Sequence, residues 1–180
     1  MTIARNQLDR IEIVPSDPTW PVTFATEAAR IRAALPAEYE HLTIEHIGST
    51  AVPGLAAKPV IDLLLIASDT SRWPRLAVPL QELGYVRWDD NPRPDRVFFV
   101  KGLPPFGIGR THHVHVRTPA DAVDEIVFRD WLRAHAGDAA RYAALKRELA
   151  ARHVDDRQSY TEGKTAFVAE VLARARREPR

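Results

Sequence analysis

One carboxylate within an apolar strand is the first candidate for chemistry in this chain. Asp62 interrupts the sequence VIDLLLI, whose other residues are all apolar. Strands that are apolar on both faces are usually central in a sheet, and an ionised carboxylate there needs a partner. Asp62 is therefore a candidate metal ligand and catalytic residue. The alternative is a structural carboxylate that pairs with an arginine or accepts backbone N–H groups.

A turn of small residues precedes that strand. Gly48, Ser49 and Thr50 offer consecutive backbone N–H groups and two hydroxyls, which can hold phosphate oxygens, and glycine allows close approach of a ligand. Lys58, just before the apolar strand, can add a positive charge. We expect these four residues to bind phosphate. An ordinary tight turn and a solvated lysine are the alternatives.

Three histidines occur together in the sequence THHVHV. On a strand, His113 and His115 point to one face and His112 to the other. A pair of neutral imidazoles suits a metal or phosphate site, and Asp62 could supply a third metal ligand. We therefore predict a metal site of Asp62, His113 and His115, with Asp62 and His115 as catalytic residues. Histidines satisfied by hydrogen bonds on a half-buried sheet are the alternative.

Further cations flank these segments. Arg96 opens the strand RVFFV and Arg110 directly precedes THHVHV, so both are expected to face an anion. Arg93 is expected in a solvated loop. Tyr160 and Lys164 are four residues apart, which predicts one face of a helix. Lys164 joins the candidate phosphate-binding residues, lining the same site as Asp62 and the histidines. The alternative is a contact between the two side chains on the helix face alone.

The elements that position these residues follow from the hydrophobic pattern. Strands are predicted before the Gly48 turn and around Asp62, and the C-terminal third reads as helical, with breaks at Gly137 and around 155–156. We predict one α/β (α+β) domain over 1–180, in which a mixed sheet flanked by helices (1–120) carries packed C-terminal helices (121–180). Further strands are predicted at 10–14, 85–88, 97–101 and 111–117, and helices over 73–83 and from about residue 20 to Pro36.

The bulk composition excludes several classes of function. The net charge of +1, from 25 basic and 24 acidic residues, gives no field that recruits nucleic acid, which is not an expected partner. The absence of cysteine rules out thiolate metal sites and cysteine nucleophiles. No signal peptide pattern and no apolar run long enough to cross a membrane is present, so a cytoplasmic location without membrane contact is expected. The oligomeric state is not specified.

Several long stretches resemble the GrpB family, a group of small bacterial proteins of largely unassigned function. The family is similar in turn to nucleotidyltransferases, which have a mixed sheet flanked by helices and a Gly-Ser turn followed by carboxylates on the next strand. A GrpB-like module is also fused behind dephospho-CoA kinase in some actinobacteria. The matching stretches cover nearly the whole chain: VPSDPTW, IEHIGSTAVPGLAAKPVIDLLL, LGY, THHVHV, FRDWLRAH, RYAALKRELA and YTEGKTAFV.

The resemblance implies that Gly48 and Ser49 hold nucleotide phosphates and that Asp62 is the first metal-binding carboxylate. Active nucleotidyltransferases generally have a second carboxylate two residues on, where this chain has Leu64. We therefore expect a small phosphorylated or nucleotide ligand, with Mg²⁺, Mn²⁺ or a transition metal at the histidines. The expected activity is metal-dependent transfer of a nucleotidyl or phosphoryl group. The alternative is a non-catalytic binding or assembly module that kept the fold but lost the two-metal site.

Overall fold

A five-stranded mixed sheet forms the centre of the molecule. The computed structural model describes residues 10–88 and 96–178. The strands are β1 (Thr43–Ile47), β2 (Ile61–Ile66), β3 (Tyr85–Arg87), β4 (Val97–Lys101) and β5 (His112–Arg117). Their order in the sheet is β1-β2-β5-β4-β3. Only β2 and β5 run parallel, and the other neighbouring pairs are antiparallel.

Helices cover both faces of this sheet. The α-helices are α1 (Trp20–Ala34), α2 (Ala77–Glu82), α3 (Val123–Ala134), α4 (Ala136–Arg152), α5 (Arg157–Glu162) and α6 (Thr165–Ala175), and 3₁₀ turns span Ala37–Tyr39, Ser49–Ala51 and Thr70–Leu76. The larger core cluster joins α1 and α2 to the face that presents Leu63 and Leu65 of β2. The opposite face presents Leu64, which packs with Ile47 and Ala122 just ahead of α3.

This arrangement confirms the predicted mixed sheet flanked by helices. The helix before Pro36, the strand at 97–101 and the strands around Gly48 and Asp62 lie where the pattern predicts them. The division of the chain at residue 120 stays a prediction. Residues 89–95, which include Arg93 and its expected solvated loop, lie outside the described residues. None of the helices in the described ranges is long and apolar enough to span a membrane.

Two predicted elements in the first half are wrong. Residues 10–14 form no strand: Val14 makes a single bridge to Ala57, because Ile11 packs against α4 and α5 rather than along a sheet edge. The helix predicted over 73–83 is a 3₁₀ turn followed by the short α2. Proline has no N–H to donate, so Pro74 interrupts the helical hydrogen bonds, whereas Pro79 fits the first turn of a new helix.

Two predicted features of the C-terminal helices also need correction. The first break lies at His135 rather than Gly137, where the imidazole stacks on Trp131 with ring centres 3.7 Å apart. A further break follows Glu162, so Tyr160 and Lys164 do not share a helix. Gly163 packs tightly there, since a Cβ atom on it would lie 2.5 Å from Leu149. The predicted break around 155–156 is confirmed between α4 and α5.

Candidate functional site

The parallel pairing of β2 with β5 brings the predicted metal ligands together. Asp62 is opposite His113 and Leu64 is opposite His115, so the register places all three polar side chains on one face. Asp62 Oδ1 lies 2.8 Å from His113 Nδ1 and 3.6 Å from His115 Nε2. One donor atom from each residue lies within 4.8 Å of the others. The three side chains therefore form a single cluster, to which we refer as the Asp62 cluster.

Burial and mutual contact set the charges of this cluster. Burial lowers the pKa of His113 to about 4, against the opposing effect of its hydrogen bond to Asp62. Burial also acts to raise the pKa of Asp62, but the contacts with His113 and His115 outweigh it and hold that pKa well below its usual range. At neutral pH the carboxylate is thus ionised and His113 is neutral. The Nδ1–H of His113 then donates to Asp62 Oδ1.

The glycine turn touches the Asp62 carboxylate directly. Gly48 has φ 72° and ψ −171°, a conformation that is essentially restricted to glycine. A Cβ atom on Gly48 would lie 2.3 Å from Asp62 Oδ2, so no other residue fits between the turn and the carboxylate. Arg133 fixes the following 3₁₀ turn, because its Nε donates to the carbonyl oxygen of Ala51 at 2.9 Å. The backbone of the turn therefore lies close against the Asp62 carboxylate, and phosphate binding by this turn stays a prediction.

Two lysines meet over one buried tyrosine beside the Asp62 cluster. The Nζ atoms of Lys58 and Lys164 lie 5.1 and 4.5 Å from the ring centre of Tyr160. Burial, with repulsion from Arg157 and from Lys164, lowers the pKa of Lys58 to about 7, and Asp62 opposes this shift. Burial lowers the pKa of Lys164 to about 8, again against the charge of Asp62. Neither ammonium group makes an ion pair within the described part of the chain.

The remaining predicted residues are less closely associated with the cluster. Arg110 lies 4.7 Å from the Trp88 ring, and its charge contributes to the low pKa of Lys58. Arg96 lies 5.8 Å from the Phe98 ring. Phe98 in turn contacts both histidines of the cluster, with ring centres 5.1 Å from His113 and 4.8 Å from His115.

The Thr50 side chain does not join the cluster. Its hydroxyl is buried and contacts His46 Nε2 at 3.0 Å and the carbonyl oxygen of Val60 at 3.5 Å. The same turn that presents Gly48 and Ser49 therefore uses Thr50 to attach itself to the sheet. His112 is also separate, since it lies on the opposite face of β5, near Glu27 and Lys101.

Sequence reasoning missed two residues of α4 that complete the wall of the site. Burial raises the pKa of Tyr142, the charge of Asp62 adds to that shift, and a side-chain hydrogen bond with Ser49 opposes it. The Lys146 ammonium lies 4.9 Å from the Tyr142 ring and donates to the carbonyl oxygen of Ala56. Their spacing of one helical turn in RYAALKREL is a signal that could have found them. Arg157 was missed as well, because nothing in its local sequence distinguishes it.

A cleft of about 740 Å³ opens beside Arg110. Its volume is in the range of small-molecule pockets. Phe106 and Ile108 also line it, with side chains that are 56% and 80% exposed. No residue of the Asp62 cluster lines the cleft, but Pro59 does, and Pro59 directly follows Lys58 in the chain.

Comparison with known proteins relates nearly the whole described chain to one family. A family model described as GrpB protein matches residues 10–174. The UPF0157 protein PA4798 of Pseudomonas aeruginosa is 55% identical over 167 residues, which cover 93% of this chain and 68% of that protein. A dephospho-CoA kinase of Mycolicibacterium paratuberculosis is 29% identical over 188 residues, which cover 92% of this chain but only 46% of the kinase.

Two solved structures extend the comparison to the fold. The conserved protein GrpB from Enterococcus faecalis superimposes with a TM-score of 0.80 at 33% identity, covering 91% of this chain and 96% of that one. The Cid1 poly(U) polymerase gives a TM-score of 0.53 at 15% identity over 78% of this chain and 45% of the polymerase. The second likeness shows a nucleotidyltransferase-like fold. With a family model over most of its length and a close relative, this chain belongs to the GrpB family.

Proposed function

We propose that this protein binds the phosphate groups of a nucleotide, or of another small phosphorylated molecule, and transfers a nucleotidyl or phosphoryl group. The observation that carries the proposal is the excess positive charge of a half-buried pocket. Lys58 and Lys164 lie within reach of a single carboxylate, Asp62, and make no ion pair in the described ranges. Cations withdrawn from water are costly unless an anion compensates them. A polyphosphate is an anion of the right charge.

Each part of the pocket has a separate role in this proposal. The backbone of Gly48 and Ser49 approaches the phosphate oxygens, and the two lysines neutralise the charge that spreads over them during transfer. Fixed positive charge of this kind supplies most of the catalysis in phosphoryl transfer. Asp62, His113 and His115 would hold a metal ion, which would act as a Lewis acid on a phosphate oxygen.

The relatives support a nucleotide or a phosphorylated cofactor as the ligand. The Cid1 structure was solved with MgGTP bound, and it shares the fold of this chain. Nearly all of this chain also resembles part of a dephospho-CoA kinase. We therefore include both nucleoside triphosphates and precursors of coenzyme A among the ligands to be tested.

A second candidate function is ligand binding without catalysis. It is favoured by Leu64, which is fully buried at the position where the resemblance implies a second carboxylate. A two-metal transfer site needs several carboxylates. A protein of this kind would keep the phosphate pocket as a sensor or assembly module.

The pocket is tested by thermal unfolding and calorimetry with pyrophosphate, nucleoside triphosphates and coenzyme A precursors, each with and without added metal. A ligand at a hundred times its Kd should add about 2.7 kcal/mol to the free energy of unfolding. We expect the stabilisation to be lost in Lys58→Met and Lys164→Met. Arg152→Ala is the matched control, because it removes a cation whose side chain is 67% exposed and pairs with Glu148. Equal stabilisation of all variants would refute the phosphate pocket.

Catalysis is tested separately by product analysis. Release of pyrophosphate or transfer to an acceptor, detected by chromatography and lost in Asp62→Asn, would support the transferase. Tight, lysine-dependent binding with no turnover of any bound nucleotide would instead select the binding module.

A further inference from the structure

The metal chemistry that the nucleotidyltransferase fold implies does not fit this chain. Such folds use Mg²⁺ ions held by several carboxylates, and Mg²⁺ prefers oxygen ligands in a near-octahedral shell. Asp62 is the only carboxylate of the Asp62 cluster. Leu64 is fully buried against Ile47 and Ala122, so no carboxylate from the next inward-facing position of β2 can complete the set.

The donor set that is present has a different preference. It offers one carboxylate oxygen and two imidazoles, and imidazole suits the transition metals. Bonds of about 2.0–2.1 Å to one metal ion separate its ligand atoms by roughly 3 Å. The contacts of Asp62 Oδ1, 2.8 Å to His113 Nδ1 and 3.6 Å to His115 Nε2, lie on either side of that value. All three donor atoms lie within 4.8 Å of one another, so side-chain movements of about 1 Å would bring them onto one ion.

Protein contacts alone leave His113 incompletely satisfied. Its Nε2 atom is buried and has no hydrogen-bond partner among the residues that the structure describes. Because Nδ1 is the nitrogen that faces Asp62, this Nε2 lies outside the donor set, and a buried water is the ordinary partner for such an atom.

Protein contacts alone position these ligands, without a nucleotide. They stand on the two central parallel strands, and the Phe98 ring packs against both imidazoles. A Mg²⁺ site commonly borrows ligands from the substrate's phosphates, whereas this one has three protein ligands of its own.

We infer that the Asp62 cluster binds one transition-metal ion of the Zn²⁺, Co²⁺ or Mn²⁺ class, in preference to Mg²⁺ and without nucleotide. The inference rests on the proposed function for the role of the ion, whose open coordination positions would face the phosphates. Affinity is expected to follow the general order for nitrogen and oxygen ligands, with Zn²⁺ above Co²⁺ and Mn²⁺ weaker.

The experiment is calorimetric titration of the full chain after removal of metals with a chelator. We expect one equivalent of Zn²⁺ to bind at least 100-fold more tightly than Mg²⁺, and Co²⁺ to give a visible absorption spectrum. Asp62→Asn and His115→Ala should each weaken Zn²⁺ binding at least 100-fold, with unchanged circular dichroism. His112→Ala is the matched control, because it removes an imidazole from the same strand on the opposite face.

Any of three results would overturn the inference. These are Mg²⁺ binding as tightly as Zn²⁺, binding of neither ion, and an equal fall of Zn²⁺ affinity in His112→Ala and His115→Ala. Pyrophosphate binding to the metal-free protein is measured in parallel. If that binding persists and depends on Lys58, only the metal inference fails. If it is absent while Zn²⁺ binds through His115, only the phosphate pocket fails.

Discussion

Replacing Gly48 by alanine should disrupt the Asp62 cluster, and the structure allows the effect to be sized. The new Cβ atom would lie 2.3 Å from Asp62 Oδ2, where ordinary contact begins at 3.4 Å. The carboxylate must therefore retreat by about 1 Å, enough to break its 2.8 Å hydrogen bond with His113. Alanine also has to adopt the strained conformation of Gly48, with φ 72° and ψ −171°.

These two effects add in the free energy of unfolding. The strained backbone costs about 1–3 kcal/mol, and a charged hydrogen bond lost in a buried site costs about 1–3 kcal/mol more. We expect Gly48→Ala to lose about 2–6 kcal/mol in urea unfolding. Stabilisation by Zn²⁺ or pyrophosphate should disappear in the same variant.

Gly54 provides a control that separates strain from contact. Its φ is 77°, but a Cβ atom placed there would meet nothing within 4 Å. Gly54→Ala should therefore lose only about 1–2 kcal/mol, the usual cost of a left-handed conformation, and keep its response to ligands. If the two variants lose the same stability and both retain ligand binding, the contact between Gly48 and Asp62 has no functional role.

Three further results are expected. Burial lowers the pKa of His46 and His113 to about 4, so the unfolded state binds more protons than the folded state between pH 6.5 and 4. The free energy of unfolding, measured in urea, should therefore fall by up to about 2.7 kcal/mol per pH unit as the pH decreases through that window. Pyrophosphate affinity in calorimetry should fall as pH rises above about 7–8, where Lys58 and Lys164 lose their protons, and a flat profile to pH 9 would contradict the pocket. Phe106→Ala should weaken binding of a nucleoside triphosphate about tenfold and leave pyrophosphate unchanged, since ring stacking is worth about 1–3 kcal/mol.

Strand alternation predicts the grouping of His113 with His115, because side-chain direction on a strand depends only on local geometry. From the sequence, their contact with Asp62 is only a hypothesis, because it requires that β2 and β5 pair in the right register. The register between β2 and β5 depends on a connection of about 50 residues, whose path local patterns do not specify. The nucleotidyltransferase-like mixed sheet was predictable from the order of elements and the resemblance.

The lysine pair shows where local reasoning fails. The four-residue spacing predicts Lys164 and Tyr160 on one helix, and the two do meet, but across the break after Glu162. Lys58 reaches the same ring from a loop about 100 residues away in sequence. Only tertiary packing brings them together, so their low pKa values could not have been inferred from sequence.

The burial of Leu64 also sets the energetic cost of a second carboxylate in this chain. A single substitution to aspartate would place a second charge beside Ile47 and opposite Glu45, whose carboxylate already pairs with the guanidinium of Arg129. Such a change costs several kcal/mol. A stable variant with a carboxylate at position 64 therefore needs further changes that open the packing around it. The apolar contact beside Asp62 thus separates a single-carboxylate site from a paired-carboxylate site by more than one mutational step.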